Sequence, residues 1–416
     1  MPTAPQAVSA RAQADPAMRP LLALSAFTFT SVIGVRVTTA LAALHAGLSP
    51  ALIGPMIALF ALMPMLFGVK LGRLIDRIGV RKPLTAGALL AALGAAACAA
   101  WPHPLVLAAM AVLIGLSHLA FSLGTQHAAG ELGGPSRRAA NFNLLTMAFS
   151  FSGLMGPPLA GFVIDHFGHR AAFATMSALA LAVMVGCHLF PFERHLPVHR
   201  PEPHQSASSQ QAQGPGRGWR ASLELLGDLR FRQLLFALLV VSAAWEAFQF
   251  LIPLHAHAIG LSASSVGLGI ASFSAGSLSI RLLMSRLMPL LTSTQWLLLG
   301  LGLCVTGYAL MPFSSTLPVL MAMSFLLGIG PGIGLPLTMA ALHTASPAGR
   351  VGEAAGLRIT LQSFQQIMLP VIVGVLTALL GVKPLFWLYA VVALAVVLSI
   401  RRALAGADAS RARSAP

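Results

Sequence analysis

Twelve long apolar stretches dominate the amino-acid sequence and restrict what this chain can fold into more than any other feature. A helix needs about 20 such residues to cross the hydrocarbon core of a bilayer. In that core a backbone has to bond its own N–H and C=O groups, which an α-helix does within one segment. The stretches are residues 20–46, 51–72, 84–101, 105–127, 143–164, 171–190, 231–258, 264–288, 293–312, 317–343, 356–380 and 385–402. The sequence therefore predicts an all-α membrane protein with twelve transmembrane helices.

The composition agrees with a chain whose main solvent is lipid. Apolar residues make up 56% of the sequence and charged residues only 9%, with a mean hydropathy of +0.81. Soluble domains carry about 25% charged residues, so a soluble enzyme is excluded, and a disordered chain needs lower hydropathy. Cys98, Cys187 and Cys304 lie far apart in apolar runs, and the sequence pattern holds no nucleophile–base cluster. We expect no enzyme activity, no metal and no cofactor.

The excess of 26 Lys and Arg over 11 Asp and Glu residues is explained by topology. When the connections are assigned alternately to the two sides, one side receives only Arg170 and Lys383, and Arg36 lies within a stretch. The other 23 basic residues fall on the side of the termini, and cytoplasmic segments carry such an excess. We therefore expect a protein of the bacterial inner membrane, with both termini cytoplasmic and with no nucleic-acid partner.

The chain compared with itself contains an internal repeat with an offset of 213 residues. Glycine, proline, phenylalanine and methionine positions coincide at this offset without a gap. The pairs include Gly47 with Gly260, Gly54 with Gly267, Phe60 with Phe273, Gly115 with Gly328, Phe151 with Phe364, Met155 with Met368, Pro157 with Pro370 and Gly161 with Gly374. The repeat predicts a cytoplasmic tail (1–19), a six-helix half (20–190), a cytoplasmic linker (191–230), a second six-helix half (231–402) and a cytoplasmic tail (403–416).

Six helices are an even number, so both repeats have the same orientation in the membrane. Two parallel halves related by an axis along the membrane normal can rock about a central cavity at the midplane. This arrangement favours a carrier of small solutes over a channel, because nothing in the sequence is typical of a selectivity filter. We expect the carrier to work as a monomer within the lipid bilayer.

The segment between the second and third stretches reads GRLIDRIGVRKP, beginning at Gly72. Together with the repeat and the linker, this segment resembles the major facilitator superfamily, whose motif is G-x-L-x-D-R-x-G-R-K, over essentially the whole chain. In that family the motif latches the two halves in the outward-facing state. The resemblance assigns this role to Gly72, Asp76, Arg77, Gly79, Arg81 and Lys82 in the loop after the second helix.

The fifth stretch contains a second motif, SGLMGPPLAG, beginning at Ser152. It is similar to the antiporter motif G-x-x-x-G-P-x-x-G-G, which accompanies proton-driven export in the superfamily, with Ser152 and Ala160 where glycine is usual. Gly156, Pro157 and Gly161 match the motif, and Gly153 is a further small residue of the same candidate segment. An alternative interpretation is close helix packing alone, which small residues at this spacing also favour.

Polar side chains within the stretches are the candidates for binding solute and protons, because ionisable groups are costly in lipid. Glu246 is the one carboxylate near the middle of a stretch, and Arg36 lies midway along the first. The other candidates are Gln249, His118, Gln126, Arg358, Gln362 and Gln365. For each of them a packing role stays open, including a static pair between Arg36 and Glu246.

The sequence predicts a secondary active transporter that moves a small organic solute by alternating access, through proton-coupled efflux. One alternative is a proton-coupled importer of an organic anion, with Arg36 as the counter-charge. A second alternative is a membrane sensor that binds a ligand without transporting it.

Overall fold

The computed structural model describes residues 17–132, 137–190, 224–345 and 351–414, and within these ranges it contains helices and no strand. The helices are α1 (Met18–His45), α2 (Pro50–Ile78), α3 (Arg81–Ala100), α4 (Pro104–Glu131), α5 (Arg138–Leu189), α6 (Leu229–Ala258), α7 (Ala263–Leu287), α8 (Ser293–Leu310), α9 (Leu317–Ala345), α10 (Val351–Leu380) and α11 (Lys383–Ser414). Most of the linker predicted at 191–230 lies outside the described residues, which resume at Glu224.

Eleven of these helices are long and apolar enough to cross a membrane, and one of them accounts for two crossings. The apolar part of α5, Leu144–Leu189, has 46 residues, which at 1.5 Å per residue is about 69 Å and twice the hydrocarbon thickness. Gly168 interrupts α5 with a φ of 82° and a ψ of 172°, a conformation that favours glycine. The first arm (138–167) and the second arm (169–189) are therefore separate crossings, which confirms twelve spans.

The turn at Gly168 is repeated in the second half. Gly381, 213 residues further on, has a φ of 81° and separates α10 from α11. Gly47 and Gly260, another pair at this offset, both have a φ of 77°. The backbone thus repeats its turns at the offset that the sequence predicts.

Helix packing inside the two halves is also equivalent. A Cβ on Gly115 would overlap the carbonyl group of Phe60, and a Cβ on Gly328 would overlap that of Phe273. Both contacts bring the second and fourth helices of a half together, and the two are related by the offset of 213. The two parallel six-helix repeats are confirmed.

The halves contact each other mainly through α2 with α10 and through α5 with α7. We call the ends of the bundle where α1 begins and α11 ends the terminal side, and the opposite ends the distal side. A Cβ on Gly54 would overlap the carbonyl oxygen of Pro370, and a Cβ on Gly267 would overlap that of Pro157. Gly54 and Gly267 lie near the first turns of α2 and α7, so both contacts lie on the distal side. These two equivalent contacts form the distal seal.

The terminal-side end of α2 lacks such contacts. A Cβ on Gly68 or on Gly72 would meet no atom within 4 Å. The prediction that Gly72 begins a loop is wrong, because α2 continues to Ile78. The helix ends only at Gly79, whose φ of 79° breaks the helical path. Of the latch residues, Arg81 donates a hydrogen bond to the carbonyl oxygen of His188 at 3.0 Å, and the side chain of Asp76 lies outside the described residues.

We predict that Gly267→Ala opens the distal seal. The added methyl group meets the Pro157 carbonyl, which belongs to the backbone of another helix and cannot turn aside, so the halves have to separate. Trp101 and Phe313 are both exposed on the distal side. The distance between spin labels at these two positions, measured by double electron–electron resonance, should become longer. In the control Gly68→Ala, where a Cβ has free space, the distances should stay as in the wild type; unchanged distances in Gly267→Ala would contradict the assignment of the seal.

Candidate functional site

A cavity of about 530 Å³ lies between the two halves, on the terminal side of the distal seal. Four helices of each half line it: α1, α2, α4 and the first arm of α5 from one half, and α6, α7, α9 and α10 from the other. Six of the predicted site residues are in its wall, namely Arg36, His118, Glu246, Gln249, Gln362 and Gln365. Gln126 and Arg358 lie outside the wall.

Arg36 and Glu246 form an ion pair that joins the halves. An Arg36 Nη donates a hydrogen bond to a Glu246 Oε at 2.7 Å, between α1 and α6, and the side chains are 20% and 11% exposed. Both residues lie on the distal side of the middle of their helices, so the pair is close to the base of the cavity. The pair exists only while α1 and α6 are close together.

Two further polar groups in the wall have atoms that the protein leaves unbonded. His118 Nδ1 and Gln249 Oε1 are buried and have no hydrogen-bond partner among the residues that the structure describes. The His118 ring contacts Phe29 edge to face, with the ring centroids 5.4 Å apart. Buried polar atoms are normally bonded to protein or water, so these two atoms are unsatisfied in this arrangement, and a solute would reach them only after a side-chain movement.

The glutamines of α10 are partly engaged in packing. Gln362 accepts a hydrogen bond from Arg358 at 2.8 Å, within the same helix. Gln365 lies 3.2 Å from the hydroxyl of Ser242 on α6 and so links two helices of the same half. Gln126 donates to Ser122 one turn away. The packing interpretation is therefore the stronger one for Gln365 and Gln126.

One cation in the wall, Arg281 on α7, was not a candidate from the sequence. It lies near the terminal-side end of its helix, where the excess of basic residues offers an explanation without function. The spacing of Ser274, Ser277 and Arg281, at i, i+3 and i+7, is the signal that identifies it, because this spacing places all three on one helix face. All three line the cavity.

The antiporter-like segment of α5 packs against both halves. A Cβ on Gly156 would lie 2.7 Å from the carbonyl oxygen of Thr30 on α1, and a Cβ on Gly153 would lie 2.6 Å from the hydroxyl of Ser274 on α7. A Cβ on Gly161 would overlap the carbonyl group of Ala263. These small residues let α5 approach α1 and α7 closely, and Pro157 provides the carbonyl that meets Gly267.

Asp165, near the distal end of the first arm of α5, strengthens the seal. Its two carboxylate oxygens accept hydrogen bonds from the backbone N–H groups of Ala263 at 3.0 Å and Ser264 at 2.8 Å. These N–H groups belong to the first turn of α7, which has no partner within its own helix and attracts negative charge. One half therefore caps a helix of the other, a contact that sequence analysis missed because it depends on tertiary structure.

The sequence as a whole matches a known protein family. The profile of the Major Facilitator Superfamily matches residues 21–292 and again 234–414. The chain belongs to the Major Facilitator Superfamily. It is therefore a multi-pass membrane transporter of small molecules and not an enzyme, as the resemblance of its motifs implies.

Two proteins with sequences similar to this chain are named as efflux or resistance proteins. The chain is 27% identical over 327 residues to "Tetracycline resistance protein, class C" of Escherichia coli, with 78% of this chain and 80% of that protein covered. It is 26% identical over 248 residues to "Probable sugar efflux transporter" of Pasteurella multocida (strain Pm70), with 58% and 56% covered. The chain thus spans little more than half the length of the second relative.

Solved structures of transporters share the fold. A nucleoside transporter superimposes with a TM-score of 0.74 at 12% identity, covering 93% of this chain and 99% of that one. A D-xylose–proton symporter gives 0.70 at 15% identity, covering 92% and 96%. At these identities the likeness concerns the fold alone.

We predict that breaking the ion pair on one side destabilises the protein. Arg36→Met leaves the Glu246 carboxylate buried without a partner, which should cost about 3 kcal/mol, the lower end for a buried pair. The double variant Arg36→Met with Glu246→Met should recover most of this loss, because it removes both charges. Unfolding in mixed micelles titrated with dodecyl sulfate measures the difference, with Arg286→Met on the exposed end of α7 as control; a double variant less stable than Arg36→Met would contradict the pairing.

We predict that Asp165→Ala favours opening on the distal side. The substitution removes two charge-assisted hydrogen bonds, and the loss of a helix cap costs about 1–2 kcal/mol. The distribution of distances between spin labels at Trp101 and Phe313 should then contain a longer component. Asp228→Ala is the matched control, because Asp228 caps its own helix α6 through Phe231 N–H at 3.0 Å; it should change stability alone, and equal label distances in both variants would show that Asp165 is an ordinary cap.

Proposed function

We propose that this transporter is a proton-coupled exporter of a small organic solute. The observation that carries the proposal is the Arg36–Glu246 pair, which joins the two halves at the base of a cavity open to solute. A carboxylate that holds the halves together only when it is ionised can couple the position of the halves to a proton.

The direction of transport rests on two kinds of support. Two relatives are named for resistance and efflux. In addition, the antiporter-like segment from Gly153 to Gly161 supplies close contacts of the distal seal. The excess of Lys and Arg on the terminal side favours the cytoplasm for that side, so the cavity faces the cytoplasm of a bacterium whose inner membrane holds the protein.

The proposed cycle uses the ion pair as a conditional link. With the distal side sealed, Glu246 is ionised and bound to Arg36, and solute enters from the cytoplasm. When the halves rock and the distal side opens, a proton from outside neutralises Glu246, solute leaves and Arg36 is released. Return to the sealed state delivers the proton to the cytoplasm, and the pair forms again.

We predict that Glu246→Gln abolishes accumulation driven by a proton gradient but keeps exchange down a solute gradient, because glutamine imitates the protonated carboxyl. Inverted membrane vesicles with an acidified lumen and a quenched pH-sensitive dye provide the measurement. Addition of a transported solute, tested first with tetracycline and then with a panel of organic solutes, should restore the dye fluorescence in the wild type and not in Glu246→Gln.

Glu224→Gln is the matched control, since Glu224 is an exposed carboxylate outside the helical bundle, and it should behave as the wild type. An unchanged ratio of protons to solute in Glu246→Gln would assign Glu246 to packing. Solute accumulation in right-side-out vesicles, with protons moving inward alongside, would instead select the importer. Saturable binding without flux in either orientation would select the sensor.

A further inference from the structure

Arg281 is the one cation in the cavity wall that the described protein leaves without a partner. In the described part of the chain, no hydrogen bond or ion pair engages its guanidinium group. Arg36, the other arginine in the wall, is bound to Glu246 at 2.7 Å. The formal charges of Arg36 and Glu246 cancel, so the cavity carries a net positive charge at Arg281.

The position of Arg281 argues against a merely lipid-facing role. Its neighbours Leu282 and Leu283 are 57% and 47% exposed on the outer surface of the bundle, whereas Arg281 is half-buried and lines the cavity. A guanidinium without a protein partner, directed into a solute cavity, is suited to bind a carboxylate or sulfonate through two parallel hydrogen bonds.

Aromatic rings of α6 and α7 lie in the cavity wall on the distal side of Arg281. Trp245 and Phe273 are in contact near the base of the cavity, with their ring centroids 5.1 Å apart. Arg281 follows Phe273 by eight residues, which is about 12 Å along the helix axis at 1.5 Å per residue. Ser274 and Ser277 lie between them on the same face. The surface thus offers an aromatic contact at one end, hydroxyl groups in the middle and a cation at the other end.

We propose that Arg281 binds an anionic group of the solute and that the substrates are aromatic organic anions, with their ring systems against Trp245, which Phe273 supports from behind. This proposal rests on the proposed function, because it takes the cavity to be the solute site. It names Arg281, and not Arg36, as the counter-charge in the sealed state, because Arg36 is already paired. A cationic solute would be repelled by the same residue.

Two dyes that differ by one anionic group test the proposal. 8-Anilinonaphthalene-1-sulfonate carries a sulfonate on the same ring system as N-phenyl-1-naphthylamine, which is neutral, and both fluoresce in apolar surroundings. Saturable binding of each is measured with the full chain in phosphatidylcholine nanodiscs, with empty nanodiscs subtracted. No gradient and no flux are involved, so failure of proton-coupled efflux and failure of anion binding are distinguishable.

Arg281→Gln should weaken binding of the sulfonate dye at least about tenfold, as expected when a charge-assisted hydrogen bond is lost. Binding of the neutral dye should change less than about twofold, which also shows that the cavity is intact. Arg281→Lys keeps the charge and should bind the sulfonate dye better than Arg281→Gln does. Arg286→Gln, on the exposed end of the same helix, should match the wild type.

Three outcomes would overturn the proposal. Equal weakening of both dyes by Arg281→Gln would mean that Arg281 only maintains the shape of the cavity. Sulfonate binding that Arg281→Gln leaves unchanged, or that Arg286→Gln weakens as much, would mean that the anion binds elsewhere. Wild-type protein that binds neither dye above the empty nanodiscs would mean that the cavity does not accept aromatic solutes.

Discussion

In hydrocarbon a polypeptide has to satisfy its backbone N–H and C=O groups within its own helices, and the architecture of this transporter follows from that constraint. Helix faces and helix ends are then the surfaces through which the two halves can meet. Faces meet where Gly54 and Gly267 approach the carbonyl groups of Pro370 and Pro157. Ends meet where Asp165 bonds the first turn of α7. Such contacts separate without breaking any helix, so the halves can move as rigid bodies.

The same constraint governs where charge is placed. Arg36 and Glu246 are each costly in a buried position, and they offset that cost only while α1 and α6 are close. A buried pair adds little net stability, so its value here lies in being conditional on the arrangement of the halves. Among the described residues Arg281 has no such partner, and an anion in the adjacent cavity could compensate its charge.

The sequence predicted the twelve spans, the two parallel repeats and six residues of the cavity wall. It did so because lipid forces long apolar helices and because the offset of 213 aligned Gly54 with Gly267 and Pro157 with Pro370. The sequence alone did not show that these aligned residues contact each other across the halves, since that depends on how the halves dock. It also placed Gly72 in a loop, because helix continuation to Gly79 leaves no signal in hydropathy.

Two functional candidates escaped the sequence analysis for opposite reasons. Arg281 was hidden among the many basic residues of the terminal side, which topology alone explains. Asp165 was hidden because its partners are backbone N–H groups 98 and 99 residues away, and backbone groups carry no side-chain signal.

The distal seal has two seams, the contact between α5 and α7 and the contact between α2 and α10. The internal repeat is not exact at these two seams. Ala378 stands 213 residues after Asp165, and α2 begins with Pro50, which has no backbone N–H to offer, whereas α7 begins with Ala263. The seam between α5 and α7 therefore holds two hydrogen bonds that the seam between α2 and α10 lacks. A duplicated molecule with equal seams would separate along both at once, but here one seam has close helix contacts and two hydrogen bonds, and the other has close helix contacts alone. The passage to the distal side should accordingly widen by rotation of the halves about the seam between α5 and α7. In this motion α2 and α10 move apart further than α5 and α7 do.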